Sequence, residues 1–477
     1  MGTNWKHMVT RRLAVQMAIA WNYGFGSLFD SKYGTSINNT LVYYNGKKTD
    51  YFVDGEEEEK FHSDLDSFLD DPKFVKTLIP EAKQFVEKQY SFINELIQDA
   101  FKLSDSQLAQ LFSEVSMQHA NYYTRMWMVF RICERIIMKI ESLLKNTIKD
   151  NAKVKNLSRI FSIPLEPNDV TNERIDMLKI ALAQTEWTDS KLQETMQKHT
   201  AKYCHIPMFD FDHEPYTIEH FAKELKAIDR PEKELECIEK AFSERRKEYK
   251  EIISKLHDKT LLNLIEMLKQ AVFLRDHRDM IRQKLNLSLK GFYEAIASRL
   301  GLNVGEVALL INQEIIENLS DSSHFSKKDV EKRKEAFLLI QLGNKIEIYS
   351  GKNATKKSDE LQIHKMNKQV SEIRGRAASP GKVKGIAKIV NTNLDFGKVN
   401  DGDILIVAMT RQDFVPVIRR ASAIVTNEGG VTCHAAIIAR EIGLPCVVGT
   451  EIATEALKDN DLIEVDGDKG IIRKVKK

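Results

Sequence analysis

The chain has 477 residues, with 71 Lys plus Arg against 69 Asp plus Glu and a formal net charge of +2. That length excludes a single small module and leaves room for two or three domains, each with its own core. A charge balance so near zero gives no electrostatic case for wrapping nucleic acid or lying on an anionic membrane.

The opening MGTNWKHMVTRR has no apolar signal core, and no run approaches the roughly 20 apolar residues that cross a bilayer, so a soluble, cytoplasmic protein is expected. Next, LVYYNGKKTDYFVD reads as a hairpin. Asn45-Gly46 would supply a type I′ turn between strands near Val42 and Tyr51, decorating a helical domain. Residues 56–59 and the basic segment 327–334 read as solvated helix faces. No glycine lies between Gly55 and Gly291, and this stretch is rich in Leu, Ile, Glu, Lys and Gln, which favours helix. Leu235, Ile238, Phe242, Tyr249, Ile252 and Leu256 recur at three, four and seven, as do Leu261, Ile265, Leu268 and Val272, so long packed helices are predicted.

The segment KYCHIPMFDFDHEPYT gathers Cys204, His205, Asp210, Asp212 and His213, but at no zinc spacing, and reads as an aromatic-rich loop. Five cysteines without a C-x-x-C pair suit free thiols and a reducing compartment. In LRDHRDMIRQKL, Arg275 and Arg278 stand three apart on one helix face with His277 beside them, a candidate phosphate-facing cluster for an acceptor. FLLIQLGNKIEIYSG then reads as a short hairpin and GKNATKKSDELQ as a linker.

Of the 22 glycines, 12 fall from Gly351 onward. There the text becomes short β-runs (KVKGIAKIV, DILIVA, SAIVT, CVVG, DLIEVD, GIIRKV), with helices predicted near residues 413–420 and 434–442. The expected architecture is multidomain α plus α/β: a helical substrate-binding or docking domain over 1–350 with its small hairpin, a linker over 351–371, and a compact α/β domain over 372–477.

The most informative stretch is TNEGGVTCHAAIIAREIGLPCVVG, a strand that runs through a glycine turn into a helix. Gly429 and Gly430 remove Cβ atoms where a bulky charged group must approach the backbone, and the free N–H groups of the first helical turn can bond phosphate oxygens. His434 stands at that turn. The partial positive charge of the helix start disfavours imidazolium, leaves a neutral ring nitrogen to attack phosphorus, and then stabilises a dianionic phosphohistidine. Thr432 would cap the helix or fix the ring, and Arg440 would screen phosphate charge if it folds back.

Gly429-Gly430-Val431-Thr432-Cys433-His434-Ala435-Ala436-Ile437-Ile438-Ala439-Arg440 resembles the phosphohistidine signature of the phosphoenolpyruvate-utilising enzymes. Ala378-Ser379-Pro380-Gly381-Lys382-Val383-Lys384-Gly385, Gly402-Asp403-Ile404-Leu405-Ile406, the segment from Thr410 to Pro416 and Gly443-Leu444-Pro445 resemble the rest of that family's mobile domain. The resemblance implies a β/β/α swivelling domain whose His434 is phosphorylated at one site and discharged at another. Such enzymes usually also carry an ATP-grasp domain or a phosphoenolpyruvate-binding barrel. Neither fits here: there is no P-loop, and Gly24-Phe25-Gly26 lacks the third glycine of G-x-G-x-x-G.

The resemblance therefore implies a phosphotransferase component whose donor site lies on a separate ATP-grasp subunit, with Mg²⁺ and ATP held mostly by that partner and no metal site of its own. Helices first and His domain last is an order similar to the rear part of the rifampin phosphotransferases and of phosphoenolpyruvate-synthase-like proteins. It implies a small-molecule acceptor, a hydroxyl or enolate, on the helical half. The alternative from another class is a non-enzymatic phosphocarrier whose phosphorylation changes what the helical platform binds.

Overall fold

The glycine-free middle folds as helix. In the computed structural model, α1 (Val15–Phe25), α2 (Ser27–Tyr33), α3 (Gly55–Phe68), α4 (Pro72–Leu96) and α5 (Asp105–Thr147) are followed by six further helices up to the Lys259–Leu300 helix. The structure describes all residues except 1–2, 12–13, 47, 321–325, 364–371, 392, 411–413, 431–432 and 476–477. α5 runs for 43 residues because a capping box of Ser104 and Gln107 satisfies its first N–H groups and no Gly or Pro interrupts it. Its Val115, Tyr122, Val129 and Ile136 repeat at seven and are all buried, which gives the apolar seam that packs on its neighbours. The Lys259–Leu300 helix is capped by Asp258 and ends at Gly301, whose φ of +62° closes it in the left-handed region.

Two compact units result: one comprises Met1–Leu13, Ile37–Glu58 and Ser326–Lys477, the other Ala14–Ser36 and Glu59–Phe325. This grouping places residues 326–350 with the C-terminal residues, whereas the sequence reading divides the chain at residue 350. The N-terminal hairpin does not decorate the helices. Strands β1 (Trp5–Arg11), β2 (Asn39–Tyr44), β3 (Thr49–Asp54), β4 (Phe337–Leu342) and β5 (Lys345–Ser350) make one antiparallel sheet in the order β1-β3-β2-β4-β5. The physical reason is shared burial: Leu41, Tyr43 and Phe52 cover one face together with Leu338 and Ile340, and neither hairpin has enough apolar surface by itself. The β2–β3 connection is also longer than the expected two-residue turn. Tyr44 pairs with Thr49, leaving residues 45–48 as the loop, and of its described residues only Gly46 has positive φ (+84°).

Within residues 56–59, Glu57 accepts from the backbone N–H groups of Asn38 and Asn39, and buried Glu58 pairs with Lys6 at 2.6 Å, so these two are structural contacts and not a solvated face. Part of the expected linker is ordered as the Lys352–Glu360 helix, whose Ala354 and Ser358 are buried; residues 364–371 lie outside the described part.

The remaining strands, β6 (Glu372–Arg374), β7 (Arg376–Ser379), β8 (Lys382–Val390), β9 (Ile404–Val407), β10 (Ala423–Thr426), β11 (Cys446–Val448), β12 (Leu462–Asp466) and β13 (Ile471–Lys474), form a second sheet in the order β6-β13-β12-β8-β9-β10-β11-β7. Its centre, β8-β9-β10-β11, is parallel. Central parallel strands are covered on both faces, which is why ILIV and AIVT are unbroken apolar runs. Leu405, Val407 and Ile424 point into one core with Ala435, Ala436 and Ala439 of the His434–Ile442 helix, while Ile404, Ile406, Ala423 and Val425 point into the other. Among the described residues no helix is long and apolar enough to cross a membrane.

Candidate functional site

β10 delivers the chain to the carboxyl end of the parallel strands, the edge where open α/β sheets place their ligands. The described residues 427–430 and 433 lie between β10 and His434, which begins the helix. Backbone bonds from Asn427 N–H to the Val407 carbonyl and from Glu428 N–H to the Ala408 carbonyl tie this loop to the end of β9. The Asn427 side chain is fixed in turn by Thr454. Gly429 has a φ of +101°, and a Cβ there would lie 2.8 Å from both Cβ and Sγ of Cys433. Gly449, at +65°, approaches so closely that its Cβ would sit 2.9 Å from the Gly429 carbonyl oxygen. Backbone strain and contact thus act together at Gly429. Gly429→Ala is expected to cost about 1–3 kcal/mol of stability, read as a lower urea midpoint for this unit. An unchanged midpoint would show that the loop adjusts freely.

The helix is capped at its far end by Gly443, with a φ of +73° and its N–H bonded to the Ala439 carbonyl. At its start Cys433 is the N-cap residue and makes no side-chain cap bond. Thr432, expected to cap the helix or fix the ring, lies outside the described residues, so the described contact to the ring is a different one. Nδ1 of His434 is 2.9 Å from Oγ1 of Thr410, which is buried. Thr410 leaves the end of β9, and parallel neighbours bring their carboxyl ends side by side, so the sheet itself sets this pair. A ring held through Nδ1 can offer Nε2 to an electrophile.

Arg440, half-buried, donates from Nε to the Ala436 carbonyl of its own helix at 2.7 Å. Arg376, on β7, was missed by sequence reasoning. Its Nη1 lies 3.6 Å from where a Cβ of Gly430 would be, so a guanidinium is placed over the glycine turn. The only signal was its position two residues ahead of Ala378-Ser379-Pro380-Gly381. Burial pushes the Cys446 thiol far up, with Cys433 adding to the shift, so Cys446 is a core residue and not a competing nucleophile.

In the helical unit the candidate acceptor residues divide. Arg278 donates from Nε to the backbone carbonyl of Arg275 in its own helix and from Nη1 to the Met126 carbonyl, so its guanidinium is engaged by backbone oxygens. His277 turns instead to Glu87, at 3.2 Å, and stacks on Phe273. The same helix carries a buried polar stripe that sequence reasoning did not find. Arg282 lies over the Phe209 ring and 3.4 Å from Asp279, while Gln283 and Asn286 are fully buried. The two amides donate to the Ile206 and Met208 carbonyls, and Lys290 donates to the His213 carbonyl. Those carbonyls belong to the expected aromatic-rich loop, which is buried and needs side-chain partners for its backbone. Asp210 of that loop accepts from the Ala14 N–H at 2.8 Å, and His213 Nδ1 bonds the Pro207 carbonyl, so both act in structure. Among the described residues no group of three or more His, Cys, Asp or Glu could hold a metal ion.

Residues 399–470 match the family described as "PEP-utilising enzyme, mobile domain". The chain is 44% identical over 135 residues to the probable phosphoenolpyruvate synthase of Archaeoglobus fulgidus, covering 27% of this chain and 18% of that protein. It is 51% identical over 100 residues to the probable phosphoenolpyruvate synthase of Methanothermobacter thermautotrophicus, covering 21% of this chain and 15% of that protein. With the phosphoenolpyruvate synthase of Pyrococcus furiosus the identity is 48% over 102 residues, 21% of this chain and 12% of that protein. The likeness thus spans less than a fifth of these relatives. Among solved structures, the holo-form of Thermococcus kodakaraensis aconitase X is 19% identical, with 22% of this chain and 98% of that chain covered and a TM-score of 0.18, too low to bear on fold or function. What this chain shares with the PEP-utilising enzymes is the mobile domain, matched over residues 399–470.

Proposed function

We propose that the chain is a phosphotransferase component in which His434 carries a phosphoryl group between a donor on a separate ATP-grasp subunit and an acceptor hydroxyl or enolate bound by the helical unit. The observation that carries this reading is the contact of His434 Nδ1 with Thr410 at the start of a helix that follows the glycine turn. In the first step Nε2 forms a bond to phosphorus while the bond from phosphorus to the donor's bridging oxygen breaks, and the electron pair leaves with that oxygen. In the second, the acceptor oxygen bonds phosphorus and the N–P bond breaks with its electron pair returning to the ring nitrogen, which takes the proton where the acceptor is a hydroxyl; an enolate has none to give.

Backbone N–H groups of the first helical turn, the glycine turn at Gly429 and Gly430, and the guanidinium of Arg376 would meet the phosphoryl oxygens, with Thr432 and Arg440 as the further candidates. Mg²⁺ with ATP belongs to the partner in this reading. Arg275, His277 and Arg278 remain the acceptor-site candidates.

The matched relatives are several times longer than the segment they share with this chain. The test is intact-protein mass spectrometry at neutral to alkaline pH after incubation with an ATP-grasp partner, Mg²⁺ and ATP. One acid-labile phosphate per chain supports the reading, and none with an active partner overturns it. Thr410→Val keeps the shape and removes the hydroxyl. It is expected to slow phosphorylation about 10- to 100-fold, the scale on which loss of a positioning hydrogen bond acts, while the melting temperature stays near that of the wild type. Unchanged single-turnover kinetics would remove Thr410 from the mechanism.

A further inference from the structure

We propose that a cleft bounded by α2, α4 and α5 of the helical unit binds a small organic anion with a planar, aromatic body. The cavity measures about 390 Å³, inside the roughly 300–1,000 Å³ range of small-molecule sites. Buried Leu78 and Ala82 line it together with the rings of Tyr33, Phe74 and Phe85, which gives the flat apolar surface. Its charged lining is Lys32, Lys88 and Arg125 against the single acid Glu81.

The cations are unusually placed. Arg125 is half-buried, its guanidinium carbon 3.8 Å from the centre of the Phe85 ring, and among the described residues Nη1 donates only to the carbonyl and side-chain oxygens of Asn121. Neither it nor Lys32 makes an ion pair within 4 Å with a described carboxylate, whereas other half-buried arginines of this unit, such as Arg135 with Asp66 and Arg174 with Glu234, do. Burial lowers the pKa of Lys32, Arg125 lowers it further, and Glu81 only partly compensates. Arg125 is likewise held below its ordinary value by burial.

Two like charges facing one cavity repel, and folding tolerates them at a cost that an anion would relieve. The guanidinium fork suits a carboxylate or phosphate head, and stacking of the guanidinium on Phe85 leaves its N–H edge to reach for it. An aromatic body would then lie against Tyr33 and Phe74. This inference goes beyond the phosphohistidine reading and does not depend on it, because binding alone reads it.

Titration calorimetry with phenyl phosphate, benzoate and inorganic phosphate on the full chain tests it, with no donor or partner present. Phenyl phosphate and benzoate are expected to bind, and both more tightly than inorganic phosphate. Arg125→Gln and Lys32→Met should each weaken phenyl phosphate binding about ten-fold or more. Glu81→Gln should strengthen it about two- to three-fold, a gain that a misfolded variant cannot mimic. Equal affinity of wild type and Arg125→Gln, no binding of either aromatic anion, or inorganic phosphate binding as tightly as phenyl phosphate would each overturn the proposal.

Discussion

His434→Ala is expected to abolish phosphoryl uptake by this chain while leaving its fold intact. His434 is the first residue of its helix and half-exposed, so the substitution removes no core volume and installs the best helix former. Its structural cost should be within about 1 kcal/mol. The chemical cost is of another order. Without a ring nitrogen there is no covalent intermediate, and removal of a covalent nucleophile elsewhere lowers turnover by about 10⁶-fold.

The neighbouring groups do not substitute. Cys446 is buried and its thiol is held protonated, and the Thr410 hydroxyl is buried beside the ring. Mass spectrometry decides the matter together with acid lability, because a phosphoimidazole is lost in acid and a phosphorylated hydroxyl is not. An acid-labile phosphate persisting on the alanine variant would place the carrier at another histidine and end the present reading.

What was legible in the sequence follows from how local each signal is. The His434–Ile442 helix and the runs around Ile404–Val407 and Ala423–Thr426 were readable because glycine, apolar run and helix stop lie within a few residues of one another. The β1 strand was not anticipated, because WKHMVTR alternates poorly and its partner β3 is some distance along the chain. The pairing of β2 with β4 joins residues nearly 300 apart, and no local periodicity encodes such a contact.

The site divides in the same way. His434 and its glycines form one continuous motif. Thr410 and Arg376 arrive from other strands, and only the sheet order brings them near. The polar stripe of the Lys259–Leu300 helix was hidden for a different reason. Arg278, Arg282, Asn286 and Lys290 recur at four, so in sequence they look like a solvated face, although Arg282 and Asn286 are buried.

That stripe gives the second large effect, a loss of helical-unit stability as pH falls below about 6.5. His119 on α5 is 3% exposed, and its Nε2 has no hydrogen-bond partner among the described residues. Burial first, and then the positive charge of Arg282, lower its pKa from 6.5 to about 4. Between those values the unfolded chain binds a proton that the folded chain refuses, so the contribution is fully present above pH 6.5 and is lost as pH drops towards 4. The full loss amounts to about 3 kcal/mol, a large part of an ordinary domain's stability.

His119→Leu keeps an apolar side chain against Tyr123 and has nothing to titrate. Urea midpoints should therefore separate the two proteins by pH: at pH 7 the variant should be close to wild type, and at pH 4.5 it should be the more stable. Carboxylates that titrate in the same range affect both proteins alike and cancel in the difference. If the two lost stability in parallel, His119 would already be charged in the folded state, and the burial beside Arg282 that its position implies would be absent.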